Sequence, residues 1–234
     1  MPPVLPFRIY DLSHPWQEGM PAWPGDPPAR LVPAATRERD GFYLNALSCG
    51  EHTGTHIGAP VHFIAGAATM ADLPAERLGA PLIKITRRLQ RDGLLTPAGV
   101  TGWEKRHGMI PAAAAVLIET GWSSRWPDAA AYFARDAGGT MHFPGISLEA
   151  MQLLVVERGV RIVGIDTAGL DGGTSATFAA GRMLAQQGGV HLENLARLAQ
   201  VPPTDAWLII GALAVAGGSG APARVLALVP VQAR

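Results

Sequence analysis

The chain has little of what marks several classes of protein. It carries one cysteine, Cys49, which excludes an internal disulfide and fits a reducing compartment, so we expect a cytoplasmic protein. Its 19 Lys and Arg residues balance its 19 Asp and Glu residues. Without net positive charge, neither nucleic acid nor an anionic membrane is expected as a partner. Residues 1–8 lack the basic and apolar regions of a secretory signal.

Long apolar runs are also missing. The longest one, residues 206–216, is too short to cross a bilayer, and it ends in the glycine-rich stretch 217–220. It is typical of a buried strand. A chain of 234 residues is long enough for a substantial core, and we expect one α/β domain spanning residues 1–234.

Short apolar runs and capping signals predict the elements of that domain. Residues 116–118 and 162–165 have the pattern of buried strands with polar ends, and residues 225–231 predict a strand near the end of the chain. Ser147 is a suitable N-cap for a helix that ends before Gly159. Residues 177–187 predict a second helix.

What the sequence does concentrate is histidine. Residues 51–63 read Glu-His-Thr-Gly-Thr-His-Ile-Gly-Ala-Pro-Val-His-Phe and hold three of the seven histidines, His52, His56 and His62. Imidazole changes charge near neutral pH and ligates transition metals, so this cluster indicates acid/base catalysis, a metal site or both. The glycines and the proline disfavour a helix here, and a strand end followed by an irregular loop is expected. Thr53 stands where a helical zinc-protease motif needs glutamate.

This segment resembles the signature of the cyclase family of hydrolases, which includes bacterial kynurenine formamidase: His-x-Gly-Thr-His-x-Asp-x-Pro-x-His. The matching residues are His52, Gly54, Thr55, His56, Pro60 and His62. Further similarity lies in residues 20–26, 142–145, 164–167, 192–195, 201–203 and 221–224. The resemblance implies an α/β fold of the swivelling β/β/α type and an assembly as a homodimer or homotetramer.

The resemblance also implies a set of site residues, two of which are missing. Gly58 occupies the position of the family's metal-bridging aspartate, and Gly181 occupies the expected position of a metal-binding histidine on a helix. Glu193 matches a metal-binding glutamate, and His62 matches the histidine that transfers protons. Loss of the bridging carboxylate argues against two adjacent dications. We therefore expect no bound metal, with a mononuclear Zn or Mn on His52 and His56 as the alternative.

Three functions remain open. The favoured one is metal-free acid/base catalysis by His52, His56, His62 and Glu193 on a small cyclic or cyclisable carbonyl compound, through ring closure, dehydration or isomerisation, for example in natural-product biosynthesis. The main alternative is a metal-dependent amide, lactone or imide hydrolase that resembles arylformamidase. A non-catalytic ligand-binding homologue is the third.

A substrate pocket is expected near the N-terminal loop. Trp16 and Trp23 precede a Pro-Gly-Asp turn that ends at Asp26. These three residues are predicted to bind substrate, because aromatic walls with few polar groups are typical of small-molecule sites. The alternative is that both tryptophans pack in the core or in an interface. For Asp166 and Asp171, structural roles in turns are favoured over catalysis.

Overall fold

A computed structural model describes residues 6–231 of the chain. The ends of the predicted domain, residues 1–5 and 232–234, lie outside this range. The strands in chain order are β1 (Phe7–Asp11), β2 (Arg30–Ala35), β3 (Leu44–Ser48), β4 (His56–Gly58), β5 (Gly79–Thr86), β6 (Leu94–Leu95), β7 (Ala115–Glu119), β8 (Gly145–Ile146), β9 (Ile162–Ile165), β10 (Val190–Glu193), β11 (Ala206–Ala212) and β12 (Gly220–Pro230). The α-helices are α1 (Arg37–Asp40), α2 (Pro97–His107), α3 (Ala129–Phe133), α4 (Leu148–Gln152) and α5 (Ala179–Gln186).

Seven strands close into a barrel-like sheet. Neighbouring strands follow the order β12-β11-β5-β7-β9-β10-β4, and β4 pairs again with β12, while β1 adds to the outer edge of β12. Strands β5, β7, β9 and β10 are parallel, and the remaining pairings are antiparallel. Two small two-stranded sheets, β2-β3 and β6-β8, lie beside the main sheet. The predicted α/β fold of the swivelling β/β/α type is confirmed.

The parallel strands are buried on both faces, which explains their short and uniformly apolar sequences. On β7, Leu117 points into the barrel core, and Val116 and Ile118 point outward against the helices. Helices α2, α4 and α5 cover this outer face, with Trp103, Met151 and Leu184 in contact with it. None of the helices within residues 6–231 has the length and apolarity of a bilayer-crossing segment.

The predicted elements are present with shifted ends. Ser147 caps α4 by accepting a hydrogen bond from the Ala150 amide. Helix α5 begins only at Ala179, because Phe178 before it has a left-handed backbone conformation. The strand predicted over residues 206–216 ends at Ala212, where its pairing with β12 ends.

Two of the acidic residues from the sequence analysis support turns. Asp166 follows β9 and accepts hydrogen bonds from the backbone amides of Thr120 and Gly121, both at 2.9 Å. Asp171 accepts from the amides of Ala180 and Gly181 at the start of α5, also at 2.9 Å. These contacts are structural, as expected for carboxylates at strand ends and helix starts.

Candidate active site

The site lies on one face of β4 and β10. These two short strands pair antiparallel, with His56 opposite Glu193 and Gly58 opposite His191. Side chains alternate between the two faces of a strand. Since Ile57 is fully buried in the barrel core, its neighbours on the strand point the other way, toward the side covered by α5.

His56 is held by a backbone carbonyl. Its Nδ1 lies 2.9 Å from the carbonyl oxygen of Gly54, and a carbonyl can only accept, so Nδ1 carries the proton and Nε2 keeps its lone pair. Nε2 lies 3.3 Å from Oε2 of Glu193 but is out of line for a hydrogen bond. This buried nitrogen therefore has no hydrogen-bond partner within residues 6–231. Two electron-rich atoms that face each other in this way are well suited to hold a cation between them.

His52 is oriented from the opposite side. The Ser219 hydroxyl donates to Oε2 of Glu51 at 2.5 Å and lies 3.0 Å from Nε2 of His52. With its hydrogen directed at the carboxylate, the hydroxyl accepts from His52, so Nε2 carries the proton and Nδ1 keeps the lone pair. This relay from carboxylate to hydroxyl to imidazole is the kind of support that metal-binding histidines receive.

A third imidazole completes the group. One ring nitrogen from each of His52, His56 and His191 lies within 4.8 Å of the other two. Burial lowers the pKa of His52 well below its usual range, and the nearby imidazoles lower it further. Burial likewise lowers the pKa of His191 to about 4. Both rings are therefore neutral at pH 7, the form that binds a metal.

His62 and Glu193 complete the polar part of the site. The His62 ring lies 4.0 Å from that of His52, centroid to centroid. The His62 side chain is partly exposed to solvent, but the buried part of the ring is desolvated, which lowers its pKa. Burial alone would raise the pKa of Glu193, but His191, His56 and a hydrogen bond from the Leu170 amide hold that pKa below its usual range. The carboxylate is therefore charged at pH 7.

His52, His56, His62 and Glu193 line a cavity of about 370 Å³. Its lining residues are Pro21, Trp23, Asp26, His52, His56, His62, Phe63, Phe133, Ala168, Gly169, Leu170, Asp171, Gly172, Phe178, Gly181, Arg182, Glu193 and Asn194. Aromatic rings form one wall, and Phe178 lies 6.2 Å from Trp23 and 6.1 Å from Phe63 between ring centroids. The described lining residues include three carboxylates, Asp26, Asp171 and Glu193, and one arginine, Arg182. This excess of acidic groups favours a cation in the cavity.

The predicted site residues fall in two places. The structure brings His52, His56, His62 and Glu193 together, with Trp23 and Asp26 in the same cavity. Trp16 does not line this cavity; it lines a second cavity of about 1030 Å³, as does Cys49. The catalytic and substrate-binding roles assigned to these residues stay predictions.

At both glycines in expected ligand positions, another side chain occupies the space that a ligand side chain would need. A Cβ atom at Gly181 would lie 2.8 Å from Cε2 of Phe63. A Cβ atom at Gly58 would lie 1.9 Å from Cε1 of His191. Restoring side chains at these positions would cause collisions, so replacing both glycines by ligands would not by itself rebuild a dinuclear site.

His191 was missed by the sequence analysis. It stands far along the chain from the histidine loop, and no local motif contains it. One signal was available: His191 and Glu193 are two residues apart in a strand, so they share a face. Once Glu193 is placed in the site, His191 follows.

Comparison with known proteins identifies a family. The family model described as a putative cyclase matches residues 10–172 of the chain, and the chain belongs to this cyclase family. It is 35% identical to isatin hydrolase from Roseibium aggregatum over 201 residues. This aligned region covers 81% of this chain and 76% of that protein. It is 29% identical to kynurenine formamidase from Paracidovorax citrulli over 97% of this chain and 99% of that protein.

A solved structure shows the same fold. Isatin hydrolase A from Ralstonia solanacearum has a TM-score of 0.90 and 34% identity, covering 95% of this chain and 92% of that one. The family resemblance predicted from the histidine loop is confirmed, and these relatives are hydrolases.

Proposed function

We propose that this protein is a metal-dependent hydrolase that cleaves the amide bond of a small aromatic compound, with a ring-fused cyclic amide as the preferred substrate class. The observation that carries the proposal is the buried Nε2 of His56, which has no hydrogen-bond partner in the described part of the chain and faces the Glu193 carboxylate under an aromatic wall. The names of the relatives support the same chemistry. Isatin is a cyclic amide fused to a benzene ring, and a formamidase cleaves a formyl amide.

The donor set fits a divalent metal ion. His52 and His56 would hold it through the ring nitrogens that keep their lone pairs, and Glu193 adds a charged carboxylate beside them. Such an ion supplies Lewis acidity, which polarises an amide carbonyl and lowers the pKa of water.

His62 has the properties of the proton carrier. In amide hydrolysis the water oxygen bonds to the carbonyl carbon, the C–N bond breaks, the water loses a proton, and the departing nitrogen gains one. A neutral imidazole at the cavity can accept the first proton and return the second. The lowered pKa of His62 keeps the ring neutral at pH 7.

The aromatic wall would place the substrate. A cavity of about 370 Å³ is at the small end of the range for ligand pockets and suits a one- or two-ring compound. Trp23, Phe63 and Phe178 can contact the faces and edges of a flat ring and exclude water from it.

This proposal differs from the metal-free ring closure favoured by the sequence analysis. That preference rested on a shortage of ligands, and His191 provides a further imidazole at the site. The relatives are named for hydrolysis, not ring closure. Chelation distinguishes the two mechanisms, since an acid/base set without metal would keep its activity.

The test is an assay with defined metal content. The protein is stripped with a chelator, reloaded with Zn²⁺ or Mn²⁺, and incubated with isatin or N-formylkynurenine, and the product is identified by mass spectrometry. We expect uptake of one water per substrate with reloaded protein and none with stripped protein. His56→Ala should abolish turnover. His107→Ala, at the end of α2 and outside the cavity lining, is the matched control. Full activity in the stripped protein, or no amide hydrolysis with either metal, would overturn the proposal.

A further inference from the structure

Two glycines that face each other make room for two imidazoles. Gly220 on β12 and Gly58 on β4 are in register, and Gly58 is also in register with His191 on β10. A Cβ atom at Gly220 would lie 2.7 Å from Cε1 of His52. One at Gly58 would lie 1.9 Å from Cε1 and 2.0 Å from Nε2 of His191. The His191 ring therefore occupies the space that a side chain at position 58 would need.

The His191 ring also lies close enough to His52 and His56 to bind an ion together with them. Its centroid lies 5.8 Å from that of His52, with the planes 15° apart, and 6.0 Å from that of His56, with the planes nearly perpendicular. Two nitrogen ligands at about 2.1 Å on a tetrahedral ion are roughly 3.4 Å apart. The three ring nitrogens lie within 4.8 Å of one another, so modest side-chain rotations bring them to that separation.

Within the described part of the chain, no protein group forms a hydrogen bond with the lone pair of the His191 ring. His52 and His56 are each hydrogen-bonded through one ring nitrogen, whereas the His191 ring makes no hydrogen bond to a protein group of residues 6–231. It is 4% exposed. Since no protein group among these residues occupies a His191 ring nitrogen, the lone pair is free to bind an ion.

We propose that His191 is the third protein ligand of a mononuclear metal site, with His52 and His56, and that Gly58 is glycine because it accommodates this ring. The inference rests on the proposed function only for the presence of a metal ion. Three imidazoles make a ligand set without charge, with Glu193 as the nearby carboxylate. Imidazole suits zinc, whereas carboxylates suit manganese and magnesium, and nitrogen ligands in general bind Co²⁺ more tightly than Mn²⁺. The site should therefore prefer Zn²⁺ and Co²⁺ to Mn²⁺.

Metal binding tests this without any substrate. Stripped full-length protein is titrated with Zn²⁺, Co²⁺ and Mn²⁺ by calorimetry, with Co²⁺ also followed by its visible absorption, and the zinc-loaded protein is studied by X-ray absorption. We expect one equivalent of Zn²⁺, tighter binding of Zn²⁺ than of Mn²⁺, and three imidazoles around the ion. His191→Ala should weaken Zn²⁺ binding about 100-fold and leave two imidazoles, while His107→Ala should bind as the parent does.

A ligand exchange across the strand pair provides the second variant. Gly58→Asp alone should bind metal poorly, because the new side chain collides with His191. Combined with His191→Ala, it should regain part of the lost affinity, with Mn²⁺ favoured more than in the parent. This double variant replaces the imidazole by a carboxylate that enters the same space from the opposite strand.

The outcomes separate the two proposals. Unchanged Zn²⁺ affinity in folded His191→Ala, or two imidazoles in the parent, would overturn the role of His191 even if the enzyme hydrolyses amides. Three imidazoles with loss of affinity in His191→Ala would support it even if no aromatic amide is hydrolysed. Should His191→Ala fail to fold, the imidazole count in the parent still decides. Absence of metal binding in the parent would overturn both.

Discussion

Asn194 Nδ2 and His56 Nδ1 donate hydrogen bonds to the same acceptor, the carbonyl oxygen of Gly54, at 2.8 and 2.9 Å. The Asn194 Oδ1 in turn accepts from the buried hydroxyl of Tyr132 at 2.8 Å. The orientation of His56 is thus coupled, through one carbonyl, to a buried side chain of α3.

The first prediction follows from this shared acceptor. Asn194→Gly removes the amide that fixes the Gly54 carbonyl, and glycine tolerates the left-handed backbone at this position (φ 56°). We expect Zn²⁺ affinity to fall about 10- to 100-fold, as for other groups that orient a metal ligand. Tyr132→Phe, which removes only the more distant hydrogen bond, should have a smaller effect. Equal affinities in all three proteins by calorimetry would show that the carbonyl needs no such support.

The second prediction concerns proton transfer. His62→Ala should lower the turnover rate about 100-fold or more, because a positioned acid/base contributes at least that much. The Zn²⁺ affinity should change little, since His62 is outside the proposed ligand set. A variant that stays folded and turns over at the parental rate would show that His62 has no such role.

The third prediction compares two tryptophans of the N-terminal loop. Trp23 lines the cavity with the histidines, and Trp16 lines the other cavity. Trp23→Ala should raise the KM or the Kd for an aromatic ligand, and ligand binding should quench the fluorescence of Trp16→Ala more than that of Trp23→Ala. The reverse pattern would assign substrate binding to Trp16 and its cavity.

The fold was largely predictable, for a physical reason that specific residues show. The strands around Leu117 and Ile165 are short and apolar because they are buried on both faces, and this pattern is visible in the sequence. The start of α4 was predictable because Ser147 caps it through a local hydrogen bond. The closure of the sheet was not predictable. It depends on the pairing of β4 with both β10 and β12, which are far from β4 in the chain.

The site was predictable only as far as the local motif extends. His52, His56 and His62 lie close together in the sequence, and Glu193 follows from the resemblance to the cyclase family. Gly58 was interpreted as a lost ligand, because a sequence cannot show what fills the space above a glycine. That space is filled by His191 from the next strand, and only the register of β4 with β10 relates the two positions.

The fourth prediction concerns the product of the proposed reaction. Opening a cyclic amide leaves a carboxylate, and Arg182 is the only arginine or lysine among the cavity-lining residues of the described range 6–231. Its guanidinium lies 5.6 Å from the centroid of the Phe63 ring. Arg182→Gln should weaken inhibition by the carboxylate product about 10- to 100-fold, in line with the ~1.5–3 kcal/mol of a charged hydrogen bond, with little change in Zn²⁺ affinity. Arg125→Gln, whose guanidinium lies over Trp122 outside the cavity lining, is the control. An unchanged inhibition constant in Arg182→Gln would place the carboxylate elsewhere.

The last prediction concerns stability and its dependence on pH. Lys84 and Glu119 lie on the paired strands β5 and β7, with 3.1 Å between Nζ and Oε2, and their side chains are only 9% and 5% exposed. Burial alone would raise the pKa of Glu119, but hydrogen bonds from Lys84 and Thr86 outweigh it and hold the pKa below 4.5. A carboxylate with a lowered pKa contributes stability above its unfolded-state pKa and loses it as the pH falls through the folded-state pKa.

Glu119→Gln leaves the buried Lys84 without a charged partner, so the free energy of unfolding at pH 7 should fall by about 3 kcal/mol. That difference should shrink as the pH falls below 4.5, because the unfolded parent then takes up a proton that the folded carboxylate accepts only at lower pH. Glu157→Gln removes a 3.4 Å contact to Arg158 from a carboxylate that is 63% exposed, and it should cost less than about 1 kcal/mol at any pH. Urea unfolding of the three proteins at pH 7 and pH 4 measures both differences. Similar losses for the two variants at pH 7, or a Glu119→Gln loss that does not shrink at pH 4, would show that the buried pair is not a net source of stability.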